Sequence, residues 1–390
     1  MSEFDDIRPY EDAEVASVVS RLVHDKGFGH AATNVVMPPA LQGSALGHLG
    51  TKILLLWQTR GFKTIKQCQL LMAEYFKTLI EKTMEDLSIA GLENLQIGQS
   101  YLFISNHRDI VLDSSLLNYL LQNADHETSR IAVGDNLLSD PLAADLMRLN
   151  KSFMVERSAT GARAMFSALQ KTSAYTRASL EEGTSVWIAQ RDGRAKDGYD
   201  RTDPALPKML TLAYREEGGF ATMMRKVKIV PVSVSYEVDP CALLKAHELY
   251  VTAVEGSYEK GANEDAVSII QGVVGKKGRV HIELHPPLGC GYADAEDLTR
   301  ALDQKIVDGL RVFPTHVEAT QRMTVHDDHF GTIPQSDVPT SASALKLMLD
   351  ALAACPTQEK PYFLCQYANL IKNRQDLAHE SSSLELSQKP

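Results

Sequence analysis

The sequence predicts an α/β fold: a mixed, partly parallel sheet with flanking helices, preceded by a helical region and followed by a short helical C-terminal region. Three observations carry this expectation. Apolar residues recur at three- and four-residue spacings through the first hundred positions. From residue 98 short apolar runs alternate with longer amphipathic stretches, the rhythm of strands and helices sharing one sheet. Beyond about 320 the composition shifts to a linker and two further helical patterns. The expected divisions are 1–97, 98–320 and 321–390, within a chain of 390 residues and without an internal repeat.

The elements follow in order. Asp12 to Lys26 places Val15, Val18, Val19 and Leu22 on one face, and Gly27 and Gly29 are expected to end that helix. Pro38, Pro39, Gly43, Gly47 and Gly50 mark a loop region before a second helix, from about Thr64 to Leu87. Residues 44–76 present an apolar face flanked by Lys52, Arg60 and Lys63, open to two readings: domain packing or contact with a membrane interface. Strands are expected at 101–105, 130–133, 152–156, 185–189, 228–236 and 279–284. Helices are expected at 114–122, 140–149, 161–182, 205–217, 264–272 and 294–311. Pro141 suits a first helical turn capped by Ser139 or Asp140. The 161–182 helix is expected to turn Ala162, Met165, Phe166 and Leu169 inward and to stop at Gly183. Pro231 places the 228–236 strand at an edge or a bulge. After the linker at 331–341 come helices at 342–354 and about 361–374, then a frayed Ser-rich tail from Ser381.

Composition narrows the function classes. With 44% hydrophobic and 23% charged residues the chain can bury a sizeable core. A net charge of −10 argues against a general nucleic-acid binder. The charge is uneven: residues 148–228 hold fifteen Lys/Arg against nine Asp/Glu, which points to an anionic ligand held in one place. Five scattered cysteines without a CxxC read as reduced and cytosolic rather than as a disulfide framework or a zinc site. The acidic N-terminus lacks a signal-peptide pattern, and no apolar run approaches the ~18 residues of a membrane span.

Two constellations carry chemistry. In YLFISNHRDIVLDSS (residues 101–115) a strand delivers Asn106, His107, Arg108, Asp109 and Asp113 into the loop before a helix. An imidazole beside a carboxylate is what a general base needs, because the acid fixes the tautomer and steadies the imidazolium. Asp113 equally suits an N-cap of the following helix, with His107 an ordinary loop residue. The kinase-like fragment His107-Arg108-Asp109 fails on its own pattern: Ser114 stands where Asn is required, and no GxGxxG, VAIK or DFG accompanies it. Gly275-Lys276-Lys277 lacks the phosphate-loop spacing. In WIAQRDGRAKDG (residues 187–198) a strand ends in a Gly-containing loop with Arg191, Arg194 and Lys196, a plausible phosphate grip. Asp192, Asp197 and Asp200 offer the plainer alternative of a solvated, self-neutralised loop, and a Mg²⁺ site at Asp109, Asp192 and Asp197 is a third reading.

Strand–Asn-His–acid, strand–Arg, strand–acid-Gly-Arg and Val-Pro-Val recur in this order over residues 98–240. There the chain resembles the glycerolipid acyltransferase family, which makes phosphatidic acid from glycerol 3-phosphate and acyl thioesters. The family's blocks are His-x4-Asp, an apolar strand ending in Arg, Glu-Gly-x-Arg, and an apolar strand with Pro. Their counterparts are His107 with Asp113, Arg157 after FMVE, Asp192-Gly193-Arg194, and Val230-Pro231-Val232. The chain departs twice: five residues separate His107 from Asp113, and the third block has Asp for Glu and one residue fewer. On a regular helix a six-residue offset turns the two side chains about 240° apart. They meet only if the loop absorbs the extra residue.

The resemblance implies a glycerolipid acyltransferase-like fold and direct acyl transfer without a covalent acyl-enzyme. His107 is the implied base, with Asp113, or else Asp109, as its partner. Asn106, Arg108, Arg157, Arg191, Asp192, Gly193, Arg194 and Lys196 are the implied substrate-binding residues. No metal or cofactor is implied beyond the donor, acyl-CoA or acyl carrier protein. The implied partners are this thioester, a glycerol-phosphate acceptor and a membrane surface, with a cytoplasmic location at the inner face of a membrane. Two alternatives stay open: a lipid-binding or scaffolding homologue, and a transacylase or hydrolase using the same His–Asp pair.

Overall fold

A computed structural model describes residues 3–138, 140–261, 264–324 and 331–387. The chain opens with helices α1 (Asp12–His24), α2 (Lys26–Val36), α3 (Ala45–Gln58) and α4 (Ile65–Thr83). β1 (Met84–Ala90), β2 (Leu102–Ser105) and α5 (Leu112–Asn123) follow. Then come β3 (Arg130–Gly134), α6 (Pro141–Leu149), β4 (Ser152–Val155), α7 (Ala162–Glu181) and β5 (Val186–Ala189). α8 (Ala205–Thr211) and α9 (Phe220–Lys226) lead to β6 (Ile229–Tyr236), then α10 (Ala242–Glu255), α11 (Glu264–Val274) and β7 (Gly278–Leu284). The chain ends with α12 (Ala295–Asp308), α13 (Pro314–Thr324), α14 (Ala342–Ala354) and α15 (Lys360–Ser387).

Two compact units divide these elements, residues 1–78 with 129–175, and 79–128 with 176–390. In the larger unit the strands lie in the order β1-β7-β6-β2-β5. β2 runs parallel to β5 and β6, β1 parallel to β7, and β6 antiparallel to β7, so the sheet is mixed, as the alternation implied. Leu102, Phe103, Ile104, Val230, Val232, Val234, Val280 and Ile282 are all buried in it. Each buried side chain of this size contributes ~1.5–3 kcal/mol relative to exposure. In the smaller unit β3 and β4 pair in parallel. There α1 and α4 pack Val15, Val18, Leu22, Ile65 and Cys68 against Leu149 of α6.

Several local expectations change. Gly27 and Gly29 do not end the first helix; they lie within α2, because Asp25 breaks the chain in an extended conformation and caps α2 by accepting Phe28 N–H at 2.8 Å. Gly47 and Gly50 lie inside α3, which Ser44 caps. The helix expected to run to Leu87 stops at Thr83, since pairing of β1 with β7 captures the next seven residues. Asp140 caps α6 by accepting Ala143 N–H, whereas Ser139 lies outside the described residues. α7 stops before Gly183 as expected, but Met165, Phe166 and Leu169 are exposed and Ala162 with them. The buried face of α7 consists of small and hydroxyl-bearing residues, Ala168, Thr172, Ser173, Thr176 and Ser179, together with Tyr175. Pro231 sits in an interior strand, not at an edge; the β6–β7 ladder begins at Val232, so its missing N–H falls outside that ladder. Helices α9, α10 and α13 were not legible as separate elements, and α15 runs through Ser381, where a frayed tail was expected.

Candidate active site

β2 delivers Asn106, His107 and Arg108 to the C-terminal end of the sheet, where open α/β sheets place their ligands. Asn106 is fully buried and copies a backbone pairing: its amide donates to the Val234 carbonyl at 3.0 Å and its oxygen accepts Val234 N–H at 2.8 Å. The strand is thereby locked to β6 one residue before the histidine. His107 Nδ1 lies 2.8 Å from Asp113 Oδ2. The same oxygen accepts the N–H groups of Arg108 at 2.7 Å and Asp109 at 3.0 Å. Tyr236, at the end of β6, donates its hydroxyl to Asp113 Oδ1 at 2.8 Å. Burial opposes the charge on Asp113, but His107 and these N–H donors outweigh it and hold the carboxyl below its ordinary pKa. An ionised carboxylate only accepts, so the proton resides on His107 Nδ1 and Nε2 carries the lone pair. The ring meets Trp187 edge-on, with centroids 5.8 Å apart.

The extra residue between His107 and Asp113 is absorbed before the helix begins. Asp109 Oδ1 accepts the N–H groups of Val111 and Leu112, each at 2.9 Å, and so takes the capping role open to Asp113. α5 starts at Leu112 and Asp113 lies in its first turn, while His107 stands outside the helix. The 240° mismatch of a continuous helix therefore does not arise. Burial first, then the charge of Asp113, raises the Asp109 carboxyl. A Cβ on Gly272 of α11 would come within 2.2 Å of Asp109 Oδ2, so only glycine permits this packing.

Arg108 points into the protein. Its guanidinium donates to the carbonyls of Ala195 and Gly198, each at 3.2 Å, and to Asp200 at 2.5 Å. Asp200 is fully buried, and burial pushes its carboxyl up to about 6 against the pull of Arg108. From the other side the buried Lys245 of α10 donates to the Arg108 carbonyl at 2.7 Å and pairs with Asp239. Ala195 N–H donates to the His107 carbonyl at 2.9 Å. The loop after β5 is thus stitched to the loop after β2.

Among the other candidates, Arg194 donates to Ser268 Oγ at 2.9 Å and Lys196 is ion-paired with Glu248 of α10. Arg191 is half-buried, while Asp192 and Gly193 are exposed. Arg157 belongs to the smaller unit, two residues beyond β4, where a Cβ on Gly134 would come within 3.0 Å of its guanidinium. Asp109 is engaged as a cap, and among the described residues no three His, Cys, Asp or Glu side chains gather as metal ligands would. Sequence reasoning missed Tyr236, Lys245, Ser268 and Glu248, and gave Asp200 only a neutralising role. Each sits far from His107 in sequence, on an element with no local signal of its use.

Residues 86–237 match a family model described as Acyltransferase. No curated protein sequence matches the chain. Among solved structures the chain is similar to the 1-acyl-sn-glycerophosphate acyltransferase PlsC from Thermotoga maritima, with 16% identity and a TM-score of 0.38, covering 76% of this chain and 91% of that one. The matched segment contains β2, its Asn-His loop, the Arg194 loop and β6. Residues 86–237 are thus similar to the acyltransferase family model, and within them the His107–Asp113 pair forms despite the altered spacing.

Proposed function

We propose that the chain transfers a fatty acyl group from acyl-CoA or acyl carrier protein to a hydroxyl of glycerol 3-phosphate or 1-acylglycerol 3-phosphate. The observation that carries this reading is the His107–Asp113 bond, with Nε2 left as the base. Nε2 takes the proton of the acceptor hydroxyl as its oxygen attacks the thioester carbonyl. The tetrahedral intermediate collapses, the C–S bond breaks, and His107 returns the proton to the departing thiol. The products are an ester and a free thiol. Asp113 steadies the imidazolium between the two transfers, and holding both reactants in line supplies much of the acceleration.

The basic loop supports an acceptor carrying a phosphate. Arg194, bonded to a neutral hydroxyl, keeps its charge for a bidentate contact. Lys196 must exchange Glu248 for the ligand. In this reading Arg191 is a further phosphate ligand, and Asp192 and Gly193 shape the turn. Purified protein incubated with labelled acyl-CoA or acyl carrier protein, and with glycerol 3-phosphate, 1-acylglycerol 3-phosphate or water, tests it. A labelled ester with either phosphate acceptor is expected. Release of free fatty acid alone would make the protein a hydrolase, and lipid binding without turnover would make it a binding homologue.

A membrane surface is the proposed site of delivery for the acylated product. α3 exposes Leu46, Leu49, Ile53, Leu56 and Trp57 along one face, with Leu46 75% and Trp57 73% accessible. Residues 26–73 hold five Lys/Arg and no Asp or Glu, in a chain of net −10. Apolar residues beside a cation-rich, acid-free segment suit anionic lipid. No helix among the described residues is long and apolar enough to cross a membrane. In flotation assays, Ile53→Glu with Trp57→Ala is expected to cut binding to phosphatidylglycerol-containing vesicles at least about tenfold. Undiminished flotation would remove α3 as the contact.

A further inference from the structure

The last helix carries a polar stripe against the loop beside His107. Gln366, Asn369, Asn373, Asp376 and Glu380 succeed one another at steps of three and four, so they share one face of α15. Each meets residues 197–201. The Gln366 carbonyl lies where a Cβ on Gly198 would approach it to 2.2 Å, and Gly198 holds φ +77°. Asn369 donates to the Asp197 carbonyl at 2.8 Å, and the fully buried Asn373 donates to the Asp200 carbonyl at 2.6 Å. The Tyr199 hydroxyl donates to Asp376 at 2.6 Å, and Arg201 donates to Glu380 at 3.0 Å. Another face of α15 buries Phe363 and Tyr367 with α10, α13 and α14, which fixes the helix itself.

The same loop is also bonded to the loop that carries His107, through Ala195 to the His107 carbonyl and through Asp200 to Arg108. Arg194 and Lys196 flank Ala195 and immediately precede the segment that α15 holds. We propose that α15 is a brace: Asn369, Asn373 and Asp376 are positioning residues that hold the loop so that Arg194 and Lys196 meet the acceptor's phosphate. They act on the loop's backbone and on Tyr199, not on substrate. The kinetic consequence rests on the acyl-transfer reading; the hold on the loop does not.

The test combines hydrogen–deuterium exchange with steady-state kinetics on the full chain. In Asn369→Ala and Asn373→Ala, amide exchange across 195–201 is expected to rise at least about tenfold. KM for the glycerol-phosphate acceptor is expected to rise about five- to twentyfold, with kcat within about threefold. Asp376→Asn, which still accepts from Tyr199, should retain wild-type exchange, whereas Asp376→Leu should not. Lys372→Ala, off the stripe, serves as the control and should change neither readout. Asn369 is partly exposed, so Asn369→Ala and Asp376→Leu carry the test if Asn373→Ala does not fold. Unchanged exchange in the folded variants overturns the brace whatever the activity. Faster exchange with an unchanged acceptor KM overturns the substrate-positioning role. Faster exchange in a protein whose wild type transfers no acyl group overturns the acyl-transfer reading and supports the hold on the loop.

Discussion

His107→Ala is expected to lower acyl transfer by about 10²–10⁴-fold while leaving the fold intact, the range for loss of a general base. The imidazole is mostly enclosed, and its Nδ1 is bonded to Asp113, which leaves Nε2 as the nitrogen to act as the base. Asp113→Asn should be nearly as damaging. Its amide can donate toward Nδ1, which drives the proton to Nε2 and leaves no lone pair facing the acceptor. Asp109→Ala should act differently: it removes a cap from α5, costing about 1 kcal/mol of stability, and lowers kcat far less than Asp113→Ala. Initial rates with labelled thioester, alongside thermal melts, separate the two effects. A His107→Ala protein with wild-type turnover would remove the proposed base. A larger kcat loss from Asp109 than from Asp113 would reassign the partner.

Arg108→Met is expected to destabilise the larger unit by about 3–5 kcal/mol, a structural rather than a chemical loss. The guanidinium is 13% exposed and Asp200 wholly enclosed, so removing the cation strands a buried carboxylate. Asp200→Asn in the same chain removes that charge and should recover much of the stability. The pH dependence carries its own sign. Asp200 holds its proton up to about 6 in the folded chain, against an ordinary value of 3.8. Between those values the folded state binds more protons than the unfolded one, so this group's contribution to stability falls as pH rises from about 4 to about 6. Asp200→Asn should flatten that part of the profile in urea unfolding followed by tryptophan fluorescence. An Arg108→Met protein within about 1 kcal/mol of wild type would show that the pair carries little of the loop's stability.

The sheet was legible because strand signals are local. Each of the six expected strands lies within two residues of an observed one, since β-branched runs bounded by Gly and polar residues need no distant partner to be recognised. β1 was not, because the alternation in MEDLSIA spans only Asp86–Ile89 and the segment becomes a strand by pairing with β7 some 190 residues away. The exposed face of α7 was misjudged for a related reason. Apolar periodicity marks a face, but this helix buries hydroxyls and small side chains instead. The stripe on α15 shows the same limit, as a row of Gln, Asn, Asp and Glu reads as solvated until a loop is seen lying on it.

By itself the sequence determined the mixed α/β architecture, the Asn-His loop at a strand end and the family resemblance through four ordered blocks. Each depends on spacing within a few residues or on order along the chain. Only the tertiary structure decided that Asp113 and not Asp109 meets His107, because the answer turns on whether five intervening residues form helix or a capped turn. It also decided that Arg108 serves a buried Asp200, and that the last helix grips the basic loop. Those are contacts between segments nearly a hundred or more residues apart. Their partners are chosen by burial and hydrogen-bond geometry, which leave no periodic trace in the chain.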